Sequence, residues 1–389
     1  MIQDKPPEIT EEKRMNEREI SEIKRRFKTD RSNISHIRGC CVSSEGEILS
    51  EFDQSLAFLT EDETAHILSI LKKTLSGYLG KNLIEIEFST KQVLESEEHK
   101  TLMDIRDSSM KDDGAVHSLY ERIISSIDME SNYIILLASD KYDVPSHSVD
   151  GEKSGESNEV FNYFVCAVCP IKATKTQLGF YVSGNPFRSV SGDSIVGGAE
   201  VGFMFPAFDD RSANIYKMMF FTKNAGEDHS ALLDGAFKCA FPMPADVQKQ
   251  TFGNILEQTA DDGCDLHLVK TLHSQISEMI EVHKESKAEE PLMLDKKQFA
   301  EVLESSGIGA EQVTAFEDRF ESDFGEKTQI SPRNVFDTKS FKLKTPDVVI
   351  KVNPKRTDLV KTRVIDGERY ILISAEENVE VNGVNINIK

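Results

Sequence analysis

Apolar positions along the chain change their period several times, and the changes divide it. In MNEREISEIKRRF, Ile20, Ile23 and Phe27 recur three and four apart, which predicts a short amphipathic helix with Arg25 and Arg26 facing outward. SHIRGCCVSSEGEILSEFDQSL then shows two extended runs around Ser44-Glu45-Gly46, a hairpin signal. Thr60 with Glu63 three residues on forms a capping box, so a helix is expected through HILSILKKTLSGYLG to a stop at Gly77 or Gly80. LIEIEF alternates as a strand, and 95–130 reads as helical with Leu119, Ile123 and Ile127 on one face. YIILLASDKYD and FNYFVCAVCPIK are apolar strands flanking the polar excursion VPSHSVDGEKSGESN, and they are natural antiparallel partners. LGFYVS and FMFPAF add further strands, with Pro206 marking an edge or a strand end.

Beyond Pro242 and Pro244 the pattern becomes helical. ADVQKQTFGNILEQTA and DLHLVKTLHSQISEMIEVH carry apolar residues three and four apart, with Val269, Leu272, Ile276, Met279 and Ile280 on one stripe. KKQFAEVLESSG and EQVTAFEDRFESDFG follow as shorter helices. The C-terminal stretch reverts to strands in FKLKTPDVVIKVNP, LVKTRVI, RYILIS and VEVNGVNINI, with Asp366-Gly367 as a hairpin turn. The predicted fold class is α+β, with an N-terminal mixed sheet and helices, a helical middle segment and a C-terminal antiparallel β tail. The divisions expected are a disordered leader at 1–14, an α/β domain at 15–240 with a mobile loop at 144–158, an acidic helical region at 241–330 and a basic β segment at 331–389.

Composition narrows what such a chain does. With 389 residues, 39% hydrophobic and 29% charged, it has the make-up of folded globular protein with room for more than one core. No apolar run approaches the roughly 18 residues of a membrane span, and the opening MIQDKPPEITEEKR lacks an apolar signal core; the expectation is a cytoplasmic protein with no membrane partner. Six dispersed cysteines are expected to be thiols, without a disulfide framework. A formal charge of −21 argues against wrapping a polyanion over the whole surface. The charge is uneven, however. From Lys339 to Arg363 eight bases face two acids, a local +6; Lys13 to Arg38 is a local +5, and Glu285 to Glu326 a local −8.

The candidate chemistry is sparse. Cys166 and Cys169 have the spacing of a redox or zinc half-site, but three apart in a strand they point to opposite faces, so buried free thiols are the better reading. His267, His273 and His283 lack the four-residue spacing of a metal helix, and the glycines of SGDSIVGGAEVG match no phosphate-cradling loop. No cofactor and no metal are predicted. Asp209-Asp210-Arg211, caught between two apolar runs, reads either as a carboxylate pair for a metal or acid/base work, or as a polar strand-to-strand corner with an arginine available for a partner. Lys342, Lys344 and Lys351 fall along one strand face, with Lys355 and Arg356 at the turn after it; together with Arg363, Arg25 and Arg26 they are candidates for phosphate contacts, against the plain alternative of a solvated charged face.

Several phrases, GKNLIEIEF, CAVCPIK, FPAFDDRSANIY, DVVIKVNPKRTDLV, TRVIDGERYILI and VEVNGVNI, resemble an uncharacterised family of bacterial proteins, a domain of unknown function seen in Firmicutes, over nearly the whole chain after residue 15. That resemblance brings no activity. In element order the chain also resembles the bacterial nucleoid-associated protein family, which implies association with the nucleoid, directly or through a protein partner. The leading expectation is therefore a non-catalytic DNA-associated protein using its basic segments. The alternatives are a metal-dependent enzyme using Asp209 and Asp210, and an adaptor whose acidic helices dock a basic protein; a homodimer is left open.

Overall fold

The computed structural model describes residues 14–147, 153–173, 177–180, 187–190, 194–259, 264–286, 291–326, 328–338, 340–375 and 379–386. Most of the expected leader, the tip of the expected loop at 144–158, and Lys339 lie outside the described residues. The chain forms two compact units, Met1–Pro244 with Glu289–Pro291, and Ala245–Ala288 with Leu292–Lys389.

The first unit opens with α1 (Glu17–Arg25), started by a capping box in which the Asn16 side chain accepts from Glu19 N–H and the Glu19 carboxylate from Asn16 N–H. The predicted hairpin is β1 (His36–Val42) and β2 (Ile48–Ser55), with Val42 opposite Ile48. Thr60 and Glu63 cap α2 (Glu61–Lys73) as predicted, but the helix stops at Thr74, before either glycine. Next come β3 (Leu83–Glu87), α3 (Thr90–Glu95), α4 (Glu97–Ser108) and α5 (Asp113–Ile124). The helical stretch breaks at Ser96, which ends α3 and caps α4 through its hydroxyl. β4 (Tyr133–His147) and β5 (Lys153–Ala173) pair antiparallel along their length, as the two apolar runs imply.

Short strands follow: β6 (Gln177–Phe180), β7 (Phe187–Val190), β8 (Ser194–Val196), β9 (Val201–Phe205), β10 (Ala207–Asp209), β11 (Ser212–Asn214) and β12 (Lys217–Thr222), then α6 (Ser230–Phe237). The main sheet has the order β2-β1-β4-β5-β9-β12-β3, with β8 on β5. Its strands are covered on both faces, which is why YIILLAS and FNYFVCAVC are continuously apolar instead of alternating. One face packs Ile135, Leu137, Phe164 and Phe203 against α4, α5 and α6. The other packs Leu136, Tyr163, Val165 and Met219 against Ile20 and Ile23 of α1 and Leu68 and Leu71 of α2.

The second unit contains α7 (Ala245–Thr259), α8 (Leu266–Glu285), α9 (Lys296–Ser305), α10 (Ala310–Phe324) and the single turn α11 (Pro332–Val335) around one apolar cluster. The stripe of α8 is Leu268, Leu272, Ile276 and Ile280; Val269, expected on it, is only half-buried. Three ribbons complete the unit: β13 (Phe341–Lys344) with β14 (Val349–Val352), β15 (Val360–Ile365) with β16 (Glu368–Ile373), and β17 (Val379–Val381) with β18 (Val384–Ile386). Asp366 and Gly367 turn the second ribbon with positive φ of 51° and 84°, as their sequence predicts. Each ribbon is two-stranded among the described residues.

Candidate functional site

The acidic pair sits at a hairpin corner. β10 and β11 pair Ala207 with Asn214 and Asp209 with Ser212, leaving Asp210 and Arg211 as a two-residue loop with φ of 49° and 57°. Two left-handed residues in succession match the twist of a tight hairpin, and each costs a non-glycine residue about 1 to 2 kcal/mol. The surroundings offset that cost. Arg211 N–H donates to Glu19 Oε1 at 3.0 Å, and its guanidinium donates to Glu22 Oε2 at 2.7 Å and Pro145 O at 2.9 Å. Asp209, buried, accepts from Asn214 Nδ2 at 2.8 Å.

The corner is thus docked onto α1, and the arginine expected to await a partner already has one inside the chain. The contact continues inward. Tyr142 donates to Glu22 Oε1 at 2.5 Å. Arg26 donates through Nε and Nη2 to the two oxygens of Asp140 at 3.0 and 3.2 Å, and Tyr163 donates to Asp140 Oδ2 at 3.0 Å. Arg26 was expected to face outward. Instead its side chain is 15% exposed and its partner Asp140 0%, with the guanidinium 5.1 Å from the centre of the Tyr142 ring. A buried carboxylate on β4 demands a cation, and Arg26 supplies it; Arg25, its neighbour, is exposed.

Burial raises the pKa of Glu19, opposed by hydrogen bonds from the Asn16 and Arg211 backbones and reinforced by the Asp209 and Asp210 charges. Burial likewise pushes the Tyr142 hydroxyl up to about 12, helped by its hydrogen bond to Glu22. These groups hold one another. Among the described residues no group of three or more His, Cys, Asp or Glu could hold a metal ion.

The cysteine pair behaves as strand geometry requires. Cys166 faces the core under α4, α5 and α6, and Cys169 the core under α1 and α2. Burial raises both thiols, Cys169 to about 12. On α8, His267 is exposed, His283 half-exposed, and His273 buried, where its Nε2–H donates to Asp337 O at 3.0 Å and its ring meets the Phe341 ring edge-on.

That last contact anchors the basic segment. Phe341 is buried, while Lys342 and Lys344 on β13 and Lys351 on β14 are exposed. The register sets Lys342 directly opposite Lys351, with Lys344 two residues along, so the three ammonium groups share one face; they lie on two strands, and the turn at 345–348 brings Lys351 to that face, since at an odd spacing on one strand it would point to the other. Three of the candidates have acidic neighbours: Lys342 and Asp337 at 3.1 Å, Lys355 and Glu281 at 3.6 Å, Arg356 and Asp358 at 3.1 Å. Lys344 and Lys351 are in no ion pair among the described residues. The second ribbon starts at Val360, buried, whose carbonyl accepts from Lys270 Nζ of α8. On it Lys361 and Arg363 share one exposed face, with Tyr370 directly opposite Arg363. Tyr370 is the member of this face that sequence reasoning missed; the alternation of VKTRVI and ERYILI about Asp366-Gly367 carries the signal.

No curated protein and no solved structure matches the chain. The family model described as Domain of unknown function (DUF4317) matches residues 15–384, and with nearly its whole length covered the chain belongs to that family.

Proposed function

We propose that this protein is a non-catalytic DNA-associated protein, of the kind found on a bacterial nucleoid, that contacts phosphates through its C-terminal ribbons. One observation carries the reading: Lys342 and Lys351 stand opposite each other in register with Lys344 beside them, three cations on one exposed strand face. Like charges set directly opposite on a ribbon repel, and an anion that bridges them relieves the repulsion. On the next ribbon Lys361 and Arg363 add two cations to one exposed face, two residues apart on the same strand.

The acidic neighbours do not stand in the way. Lys342, Lys355 and Arg356 are 52%, 78% and 42% exposed at the side chain, and exposed pairs of this kind contribute about 0 to 1 kcal/mol, so phosphate can replace the carboxylate. Contacts made through lysine to phosphate position a protein without reading bases. The chain's net charge of −21 restricts such binding to a local footprint.

The test is binding of purified protein to several unrelated duplexes at low salt. The variant Lys342→Gln, Lys344→Gln, Lys351→Gln is expected to weaken all of them alike. A wild-type protein that binds none of them, or a variant that loses affinity for one sequence alone, contradicts the proposal.

A further inference from the structure

The ribbon of β15 and β16 offers more than charge. Its register sets Lys361 opposite Leu372, Arg363 opposite Tyr370 and Ile365 opposite Glu368. These six side chains share one face, because directly opposite residues on a ribbon point the same way and so do alternate residues on a strand. Both cations of that face are on β15, and the aromatic ring stands across from them on β16. Tyr370 is 40% exposed, and Lys361 and Arg363 are exposed beside it. Glu368 lies at the turn end of the face, so no acid separates the two cations.

The ring is held without being covered. Its hydroxyl donates to Glu368 Oε2 at 2.6 Å, a bond between residues two apart on one strand that draws the ring along the ribbon toward the Asp366-Gly367 turn. Among the described residues no second ring stacks on Tyr370 and no cation lies over it, although Arg363 is directly across. A cross-strand pair that served only the ribbon would close that contact. Tyrosines of the first unit are engaged in this way: Arg26 lies 5.1 Å from the centre of the Tyr142 ring, and Tyr163 stacks on Phe161 with ring centres 4.8 Å apart.

A free ring face beside two cations suits one form of DNA. In a duplex the broad faces of the bases are stacked on one another, and only base edges reach the grooves. In a single strand a base can leave the stack and lie on an exposed aromatic ring while neighbouring cations hold its phosphates. Opposite side chains on a ribbon have Cβ atoms about 4.5 to 5.5 Å apart, so a backbone that follows Lys361 and Arg363 along β15 brings a base within reach of Tyr370 on β16. The ribbon of β13 and β14 has no such ring. Its cationic face is completed by Val349, opposite Lys344, and suits phosphates of either form.

Resting on the reading that the ribbons contact DNA phosphates, we propose that the β15–β16 face is a stacking platform for single-stranded DNA, with Tyr370 taking a base and Lys361 and Arg363 the adjoining phosphates. The test compares the full chain on a labelled single strand of mixed sequence and on the duplex of the same sequence. Wild type is expected to bind both. Tyr370→Ile, which keeps a strand-forming apolar side chain, is expected to lower the ratio of single-strand to duplex affinity by about 5- to 100-fold, the effect of losing one base stack. That loss leaves the slope of log affinity against log salt on the single strand as in wild type, whereas Lys361→Gln with Arg363→Gln is expected to make it shallower by about 1 to 1.5 units. Tyr370→Phe, which keeps the ring and loses the bond to Glu368, is expected to bind the single strand as wild type does. A ratio that Tyr370→Ile leaves unchanged, or that Tyr370→Phe lowers as much as Tyr370→Ile, would overturn the proposal. So would a wild type that binds the duplex and not the single strand, which would leave phosphate binding by the lysine face standing. A wild type that binds only the single strand, and loses it with Tyr370→Ile, would support the platform and contradict duplex binding.

Discussion

The corner of the first unit and the ribbons of the second use the same residue types in opposite ways. Around the corner, Arg26 and Arg211 turn inward to Asp140, Glu22 and a backbone carbonyl, with two tyrosine hydroxyls completing the network. On the ribbons, Lys342, Lys344, Lys351, Lys361 and Arg363 stand outward on short two-stranded elements. A guanidinium suits the first task, because its fixed fork satisfies both oxygens of a buried carboxylate at once. An ammonium on a flexible stem suits the second, where the proposed phosphate contact asks for a point charge that can follow its partner. Charge near a candidate site therefore says little about function until its direction is known.

Substitutions can break this contrast. The largest effect is expected from Arg26→Leu, which leaves the fully buried Asp140 carboxylate with Tyr163 alone. Loss of one partner of a buried pair costs about 3 to 5 kcal/mol, so urea unfolding is expected to show a loss of that size, with DNA affinity unchanged in the protein that remains folded. A loss below about 1 kcal/mol would mean that the pair is open to water.

The sequence made much of this legible where local rules decide. The Thr60 capping box, the hairpin at Ser44-Glu45-Gly46 and the opposite faces of Cys166 and Cys169 all follow from spacing alone, whereas the shared face of Lys342, Lys344 and Lys351 needs the turn between β13 and β14, which was read as one strand. Arg26 was misread because periodicity reports where apolar side chains point. It does not report that a carboxylate 114 residues away needs a cation. Arg211 was half legible: its turn was expected, but Glu22, 189 residues away, was not visible as its partner. Helix ends failed for a related reason, since Ser96 both ends one helix and caps the next, and no glycine was needed to stop α2.

A smaller effect is expected at the corner itself. Asp209→Asn with Asp210→Asn keeps the turn residues similar and weakens the acceptor for Asn214, so stability is expected to fall by about 1 to 3 kcal/mol in urea unfolding, with DNA binding retained. A folded double variant that has lost DNA binding, or a divalent ion bound stoichiometrically to wild type and lost on substitution, would instead give the pair a functional role. The smallest effect on stability belongs to the ribbons. Lys342→Gln, Lys344→Gln, Lys351→Gln is expected to shift unfolding by no more than about 0.5 kcal/mol, since these side chains are exposed and their contacts weak. A larger loss would show that the lysine face is structural.

The outward lysines are tested most directly by the salt dependence of DNA binding. Plotted as log affinity against log salt concentration, wild type is expected to fall steeply, and the triple lysine variant to fall with a slope shallower by about 2 to 3 units, because each lost phosphate contact removes the release of close to one counterion. An unchanged slope in the folded variant would contradict the account and leave β13 and β14 as a solvated face.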